Sequence, residues 1–358
     1  MRKSFIILVV LQLAFFLFAC KPEEENHQFS QTFYYMDTFI SVGGMTKSQS
    51  HADEILNQID IIFDKYHQLA HNFEGLNETS SFLENVYTLN RKIGQRVEID
   101  LELYAMLVEA EAYKNLTNGY FDISIGKMVD AWKDFVQSED HENRHQLFEQ
   151  ITERVDQIDM TDFDIVLEEE NGRYYVTLFG EDMKIDLGAL AKGYAAQVAT
   201  DYLIEEGLEY YFVTAGSSSI MLGLKEDSED NFFRVGLAHP VDLSFPRVTY
   251  GRLFAKNTSV TTSANYEQFM LHEDKRYHHI VSPITRRPMQ YYHALTLIGP
   301  NAGFLDAVGT ALFSMNEKDL LEWMEHNREI YQLEMVYFRE DGTIGLMMTN
   351  TVFEARKP

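Results

Sequence analysis

The chain contains a single cysteine among its 358 residues, and this limits how its fold can be held together. One thiol excludes an internal disulfide framework and any cysteine-rich zinc or iron–sulfur site. Hydrophobic residues make up 45% of the chain, which is normal for a globular protein and excludes wholesale disorder. The fold must therefore rest on an apolar core, and the length allows about two domains or one large one.

The position of Cys20 in the sequence is more informative than the fact that the chain has one cysteine. Residues 5–19 are apolar except for one glutamine, and they follow two positive charges, Arg2 and Lys3. This segment is too short for a standard transmembrane span and has the right length for a signal-peptide core. Because it ends at the only cysteine, it resembles a bacterial lipoprotein signal, in which that cysteine is lipidated and becomes the new N-terminus.

This pattern divides the chain into three regions. Residues 1–19 are expected to form the lipoprotein signal peptide, residues 20–30 the lipidated Cys20 with a polar tether, and residues 31–358 the folded domain. The lipid would anchor the protein to the extracytoplasmic face of the cell membrane. The alternative is an ordinary signal peptide or an uncleaved anchor, in which Cys20 has no role.

The chain is strongly acidic. It has 30 Lys and Arg against 56 Asp and Glu, a formal net charge of −26. Nucleic-acid binding requires clustered cations that neutralise phosphates, so this balance argues against a nucleic-acid partner. The one marked shift in composition, over residues 138–170, is acidic and is expected to form an exposed insertion or a helix pair.

Hydrophobic periodicity predicts a mixture of helices and strands. Helical spacing predicts helices over residues 51–69, 101–116, 189–206 and 302–315. Short apolar runs predict strands over residues 33–43, 210–215 and 295–298, and a hairpin over 334–338 and 343–348. Because strands and helices do not alternate regularly, the pattern favours an α+β fold of mixed sheets with packed helices over a doubly wound sheet.

Residues 185–194 suggest an anion site. Gly188 leads directly into a predicted helix, and Lys192 lies in the early turns of that helix. Free N–H groups at a helix N-terminus favour a phosphate or pyrophosphate, and a nearby ammonium group adds to this preference. The alternative is a helix whose small residues pack against a sheet, with Lys192 in solvent.

Residues 304–313 suggest a cation site. Asp306 and Thr310 are four residues apart and share one face of a predicted helix. A carboxylate and a hydroxyl among apolar residues suit a hard, oxygen-seeking cation such as Mg²⁺. The alternative is an Asp that interacts with the helix dipole and a Thr that bonds back into its own helix.

Two further segments could carry chemistry. Either His278 or His279 could act as a general base near neutral pH. Adjacent residues of an extended chain point opposite ways, so only one of them can face a given site, and the alternative is a surface pair at a strand edge. In residues 118–126, aromatic rings after an Asn-Gly turn could stack on a planar ligand, whereas the alternative is an ordinary core strand.

Taken together, these segments resemble the ApbE family, the FAD:protein FMN transferases, which are commonly lipoproteins. Seven motifs occur in the family's order, and the resemblance covers roughly residues 31 to 350. The motifs are YMDTFISV (35–42), TNGYFDISIGKMVDAWK (117–133), IDLGALAKGYAAQVATDYL (185–203), TAGSSSIMLG (214–223), SVTTSANYEQF (259–269), RYHHIVSP (276–283) and DAVGTALFSM (306–315). The resemblance implies the family's fold, with one catalytic unit of two lobes.

The resemblance also implies a reaction. Such enzymes bind FAD, cleave its pyrophosphate with Mg²⁺ and transfer the FMN portion to a Thr or Ser hydroxyl of a target protein as a phosphoester, releasing AMP. Relatives modify subunits of membrane electron-transport complexes and exported flavoproteins. An acceptor flavoprotein of that kind is therefore the expected partner, with FAD as the substrate.

Motif matching assigns roles to eleven residues. The backbone carbonyl of Ala189 and the side chains of Asp306 and Thr310 would hold the metal. His279 would assist deprotonation of the acceptor hydroxyl. The residues expected to contact FAD are Met36, Tyr120, Phe121, Asp122, Asp186, Lys192 and the backbone at Val281.

Three positions depart from the family pattern. Ser282 replaces an Asp that many relatives carry. The absence of that Asp removes a negative charge beside the proposed base, His279. Arg286 and Ala264 each replace a Gly. Ala264 would be strained if that glycine serves a conformation with φ > 0. Two alternatives to flavin transfer stay open: a Mg²⁺-dependent FAD pyrophosphatase with water as the acceptor, and a non-catalytic flavin-binding lipoprotein.

Overall fold

The computed structural model describes residues 27–140 and 142–356. Eight helices lie within these residues: α1 (Gln49–Ala70), α2 (Val86–Leu89), α3 (Leu101–Leu116), α4 (Gly126–Val136), α5 (Arg144–Asp156), α6 (Ala191–Glu205), α7 (Ala302–Phe313) and α8 (Glu317–Asn327). The strands in the same residues are β1 (His27–Tyr35), β2 (Thr38–Thr46), β3 (Arg96–Ile99), β4 (Asp164–Glu170), β5 (Arg173–Phe179), β6 (Tyr211–Ala215), β7 (Ser219–Leu222), β8 (Phe233–Ala238), β9 (Thr249–Ala255), β10 (Thr258–Ala264), β11 (Phe269–His272), β12 (Lys275–His278), β13 (Tyr292–Gly299), β14 (Glu334–Arg339), β15 (Ile344–Met347) and β16 (Val352–Ala355).

An eight-stranded sheet forms the centre of the fold. Its strand order is β1-β2-β6-β7-β10-β13-β14-β15, and all neighbouring strands are antiparallel. Two three-stranded sheets, β16-β9-β8 and β3-β5-β4, and the hairpin β11-β12 complete the described strands. This combination of sheets and helices confirms the predicted α+β class.

Side-chain alternation along the strands explains why both faces of the central sheet are covered. On β13, Leu295 and Leu297 belong to the large core that the sheet shares with α1, α3, α6, α7 and α8. Ala294 and Ile298, which point to the opposite face of the sheet, belong to a second core that includes residues of β8 and β9. The main helices therefore pack on one face of the sheet, and a smaller sheet packs on the other.

A third apolar cluster joins α4 and α5 to the hairpin β11-β12. It includes Trp132 of α4, Ile151 and Val155 of α5, and Met270 of β11. The exposed insertion predicted over residues 138–170 is therefore only partly observed. Helix α5 buries one face in this cluster, and β4 pairs with β5.

The N-terminal boundary of the folded domain differs from the prediction. The sequence suggests a tether through residue 30, but residues 27–30 begin β1, and Phe29 is buried in the main core. The predicted signal peptide and Cys20 lie outside the described residues. Among the residues that are described, no helix is both long and apolar enough to cross a membrane.

The single strand predicted over residues 33–43 is instead the hairpin of β1 and β2. Met36 and Asp37 form its two-residue turn, with φ angles of 50° and 57°. Such turns require positive φ at both central residues, and Asn-Gly is their usual sequence. Because Met-Asp lacks that signal, the sequence pattern reads as one continuous strand.

Helices α6 and α7 cross at Gly193 in very close contact. A Cβ atom at Gly193 would lie 2.5 Å from the Ala302 carbonyl oxygen and 2.6 Å from the Asp306 Cβ. Both distances are far below van der Waals contact, so only glycine permits this approach. The crossing places Asp306 of α7 directly against the first turn of α6.

The Gly193→Ala substitution should therefore lower the free energy of unfolding by about 1–3 kcal/mol, as overpacking of a well-packed contact does. Urea denaturation measures this change. Gly75→Ala is the matched control, because a Cβ there would meet its nearest atoms at an ordinary 3.6 Å. If the two variants were equally stable, the crossing would not depend on glycine.

Candidate active site

One cleft of about 540 Å³ lies beside the crossing of α6 and α7. The end of the β1-β2 hairpin, the turn before α4, strand β10 and the segment after β12 also border it. All eleven residues selected from the sequence line this cleft: Met36, Tyr120, Phe121, Asp122, Asp186, Ala189, Lys192, His279, Val281, Asp306 and Thr310. Their individual roles stay predictions.

Asp306 is a buried carboxylate with one backbone donor. The Gly193 N–H donates to its Oδ2 at 3.0 Å. Burial raises the pKa of Asp306, whereas the Lys192 ammonium and the Gly193 hydrogen bond act in the opposite direction. A carboxylate held in this way gains stability from a cation beside its other oxygen.

Thr310 and Ala189 supply two neutral oxygens to the same cleft. The Thr310 hydroxyl donates to the Asp306 carbonyl at 3.1 Å, the helix back-bond that the sequence left as an alternative. That bond uses the hydroxyl proton and leaves oxygen lone pairs available. Because the Gly193 N–H turns to Asp306, no backbone hydrogen bond within the described residues reaches the Ala189 carbonyl.

These three groups form a donor set of a carboxylate, a hydroxyl and a backbone carbonyl. All three are hard oxygen ligands of the kind that Mg²⁺ prefers, and none is an imidazole or thiolate. The Ala189 carbonyl is the most informative member, because carbonyls of a folded chain normally have a hydrogen-bond partner and no backbone N–H of the described residues donates to this one. The residues therefore fit a hard divalent cation.

Two ammonium groups lie on the same side of the cleft. The Lys192 Nζ donates to the Gly188 carbonyl at 2.8 Å. The Lys133 Nζ, at the end of α4, lies 3.5 Å from the Asp186 Oδ2. Lys133 was not selected from the sequence, and its only signal was its place at the end of the motif over residues 117–133.

Asp186 organises the turn that leads into α6. Its Oδ1 accepts the Gly188 N–H at 2.7 Å, and its Oδ2 accepts the Asn72 side-chain amide at 3.3 Å. With Lys133 also beside Oδ2, both carboxylate oxygens are engaged within the protein. Asp186 therefore shapes the cleft and positions Lys133, whatever contact it makes with a ligand.

The segment over residues 118–126 is a turn and not the core strand that the sequence left as an alternative. Asn118 and Gly119 have φ angles of 51° and 79°. The Tyr120 hydroxyl donates to the Asp319 Oδ2 at 3.2 Å, and burial raises the pKa of Tyr120. The buried Asp122 carboxylate pairs with the Lys114 Nζ at 3.0 Å.

The two adjacent histidines face different surroundings, as predicted. His278 is buried, and its Nε2–H donates to the Met289 carbonyl at 2.9 Å while its Nδ1 accepts the Ile280 N–H at 3.2 Å. Both nitrogens are therefore used within the protein. Burial lowers the pKa of His278 to about 3, so the ring is neutral and structural.

His279 instead lines the cleft. Its Nδ1 is buried and has no hydrogen-bond partner among the described residues. Burial, followed by the ammonium groups of Lys192 and Lys133, lowers the pKa of His279 to about 4. The imidazole is thus neutral near pH 7 and can accept a proton.

A sequence model of the ApbE family matches residues 36–333, a span that includes the whole cleft. The chain belongs to the ApbE family. The FAD:protein FMN transferase of Vibrio cholerae is 23% identical over 347 residues, which are 94% of each chain. The FAD:protein FMN transferase of Treponema pallidum is 28% identical over 232 residues, which are 63% of each chain.

Solved structures of ApbE proteins share the fold. The ApbE protein of Thermotoga maritima superposes with a TM-score of 0.70 at 24% identity, covering 89% of this chain and 97% of that one. The flavin transferase ApbE from Vibrio cholerae gives a TM-score of 0.68 at 19% identity, covering 91% and 98%. The family resemblance and the fold predicted from the sequence are therefore confirmed.

The structure shows how Arg286 is accommodated at a position where many relatives have a glycine. Arg286 adopts a φ of 62°, a conformation that favours glycine and costs other residues about 1–2 kcal/mol. Its guanidinium donates to the Ile158 carbonyl at 2.9 Å and to the Asp156 carbonyl at 3.3 Å, just past and at the end of α5. These charge-assisted bonds at a helix C-terminus offset that cost and tie α5 to the loop after His279.

The other two departures are accommodated without strain. The buried Ser282 donates its N–H to the Arg287 carbonyl at 3.0 Å, and its hydroxyl accepts the Thr285 N–H at 3.4 Å, so it closes the turn in place of an Asp. Ala264 lies in β10 and has no positive φ. The strain expected for a residue in a glycine conformation therefore does not arise there.

In the free protein, the His279 imidazole should titrate near pH 4 and not near its ordinary value of about 6.5. Lys192→Met should raise this pKa, because it removes a positive charge that disfavours the imidazolium. The matched control is Lys127→Met, since Lys127 pairs with Asp182 and does not act on His279. Histidine NMR shifts followed against pH measure all three values. A His279 pKa at or above 6.5 would contradict this description of the site.

Proposed function

We propose that this chain is a Mg²⁺-dependent FAD:protein FMN transferase. In this reaction, FAD is cleaved, FMN is attached through a phosphoester to a Thr or Ser of an acceptor protein, and AMP is released. The main support for the proposal is one cleft whose lining combines an oxygen donor set, two ammonium groups and a neutral imidazole. Relatives that match most of the chain bear the name of this activity.

The cation site would be formed by the Ala189 carbonyl, the Asp306 carboxylate and the Thr310 hydroxyl. When bound there, Mg²⁺ would neutralise the negative charge that develops on the pyrophosphate. The raised pKa of Asp306 agrees with this role, because a buried carboxylate without a full counter-charge is stabilised by a nearby cation.

The remaining residues would bind and orient the two substrates. Lys192 and Lys133 would hold the anionic diphosphate, which a chain of net charge −26 otherwise repels. Tyr120, which is partly exposed, would offer ring surface at the cleft wall for the flavin, while the buried Phe121 packs behind it in the core. This local concentration of positive groups is what makes an FAD site compatible with an acidic protein.

His279 would act on the acceptor. Its neutral imidazole takes the proton of the Thr or Ser hydroxyl as the hydroxyl oxygen forms a bond to the FMN phosphorus. The bond between that phosphorus and the bridging oxygen breaks, and AMP leaves with both bonding electrons. The unpartnered Nδ1 of His279 supports this assignment, since a buried nitrogen without a partner is suited to a group that arrives with the substrate.

The sequence supports a location for this reaction. The apolar segment that ends at Cys20 suggests lipid attachment and anchoring on the extracytoplasmic face of the cell membrane. Acceptors reachable from there would be subunits of membrane electron-transport complexes or exported flavoproteins.

Incubation of the protein with FAD, Mg²⁺ and a Thr-containing acceptor peptide should yield a peptide heavier by one FMN, with an equal amount of AMP. Mass spectrometry and nucleotide chromatography measure the two products. FMN and AMP without modified peptide would instead identify a pyrophosphatase. Tight FAD binding without turnover would identify a flavin carrier, and either result would reject the transferase.

Asp306→Asn should lower Mg²⁺-dependent turnover by at least about 100-fold, because metal assistance contributes several kcal/mol to such reactions. The amide oxygen can still accept the Gly193 N–H, so the fold should persist. Asp201→Asn, on the part of α6 away from the cleft, is the matched control and should keep normal turnover. Equal activity of both variants would remove Asp306 from the metal site.

Cys20→Ser should abolish lipid attachment. Labelled palmitate supplied to a bacterial host should appear in the wild-type protein and not in the variant, because only the thiol at this position can be lipidated. Gel fluorography measures the label. Equal labelling of both proteins, or no labelling of the wild type, would contradict the lipoprotein assignment.

A further inference from the structure

A group of potential metal ligands lies outside the cleft, where α5 meets the hairpin β11-β12. His145 is in the first turn of α5, His272 ends β11, and Glu273 begins the hairpin turn. One ligand atom from each of the three side chains lies within 4.8 Å of the other two. His272 and Glu273 are adjacent in the chain, and the packing of α5 against the hairpin brings the distant His145 to them.

One ring nitrogen of His272 is buried without a hydrogen-bond partner among the described residues. Its side chain is buried, with 7% of its surface exposed, and its Nε2 has no hydrogen-bond partner in the described residues. A buried ring nitrogen without a partner costs free energy, and such atoms are rare. The ring is also held in place, because it stacks on Phe148 with 4.5 Å between centroids.

The other two ligands are exposed and free to adjust. His145 stacks on His272 with ring centroids 5.5 Å apart, and the Glu149 Oε1 lies 3.5 Å from the His145 Nε2. A carboxylate beside the second nitrogen of a histidine is the usual arrangement behind a metal-binding imidazole. Arg144 fixes the start of α5 to β11, since its guanidinium donates to the Leu271 carbonyl at 2.7 Å.

We propose that His145, His272 and Glu273 form a second metal site, for a transition-metal ion of the zinc class. Two imidazoles and one carboxylate are a ligand set that Zn²⁺ accepts, whereas Mg²⁺ prefers oxygen ligands. Ligand atoms on a tetrahedral zinc at about 2.1 Å lie about 3.4 Å apart. The exposed side chains of His145 and Glu273 would therefore rotate inward, while the buried His272 stays fixed.

An ion at this site would link α5 to the hairpin β11-β12, whose second strand leads into the active site. Strand β12 ends at His278, immediately before His279. The Arg286 contacts hold the other end of α5 to the loop that follows. The site would thus be a structural link between α5 and the hairpin, chemically distinct from the oxygen set at Asp306.

Zinc titration by calorimetry tests this site, using the full chain in detergent without a polyhistidine tag and with Mg²⁺ in excess. The Asp306→Asn background removes the oxygen site, so one remaining Zn²⁺ per chain is expected. In that background, His145→Gln and Glu273→Gln should each weaken zinc binding by at least about tenfold. His326→Gln, which changes an exposed histidine of α8 outside the cluster, should leave the affinity unchanged.

A spectroscopic readout separates this site from unspecific binding. Co²⁺ bound in place of zinc should give the d–d absorption of a four- or five-coordinate ion, and His272→Phe should abolish it. If His272→Phe does not fold, the variants of the two exposed residues, His145→Gln and Glu273→Gln, still test the site. Absence of zinc binding in the Asp306→Asn protein, or unchanged affinity in both His145→Gln and Glu273→Gln, would overturn the proposal.

Discussion

The site depends on one hydrogen bond, from the Gly193 N–H to the Asp306 carboxylate, which joins α6 to α7 at their crossing. The bond directs a buried carboxylate into the cleft and withdraws the donor that would otherwise cap the Ala189 carbonyl. Only glycine allows the helices to approach this closely. Gly193 therefore affects both packing and chemistry. It permits the helix crossing, its N–H orients the Asp306 carboxylate, and it leaves the Ala189 carbonyl without that N–H as a partner.

Lys192 links the two titrating groups of the cleft. Its ammonium opposes the rise in the pKa of Asp306 and lowers the pKa of His279. If the diphosphate of FAD pairs with Lys192 and Lys133, as proposed above, the charge that disfavours the His279 imidazolium would be neutralised. We therefore expect the imidazole to become a stronger base once FAD is bound, so that proton abstraction is favoured only in the loaded enzyme.

Much of this could be predicted from the sequence, and the failures have identifiable causes. Helix α3 lies over Leu101–Leu116 as predicted, because amphipathic spacing and an Asn-Gly stop coincide there. The hairpin at Met36 and Asp37 was missed, since neither residue signals a left-handed turn. Spacing and chemistry selected Lys192, Asp306, Thr310 and the pair of histidines, and the family resemblance supplied their expected roles and the other cleft residues. Lys133 and the Gly193–Asp306 bond needed coordinates, because that bond joins residues 113 positions apart.

A crystal structure with FAD and Mn²⁺ would show where the cation and the substrate bind, because the anomalous signal of Mn²⁺ locates the ion that replaces Mg²⁺. We expect one ion bound by the Ala189 carbonyl, the Asp306 carboxylate and the Thr310 hydroxyl, in contact with the diphosphate of FAD. An ion at another position, or FAD bound outside this cleft, would rule out the assignment of this cleft as the flavin-transfer site.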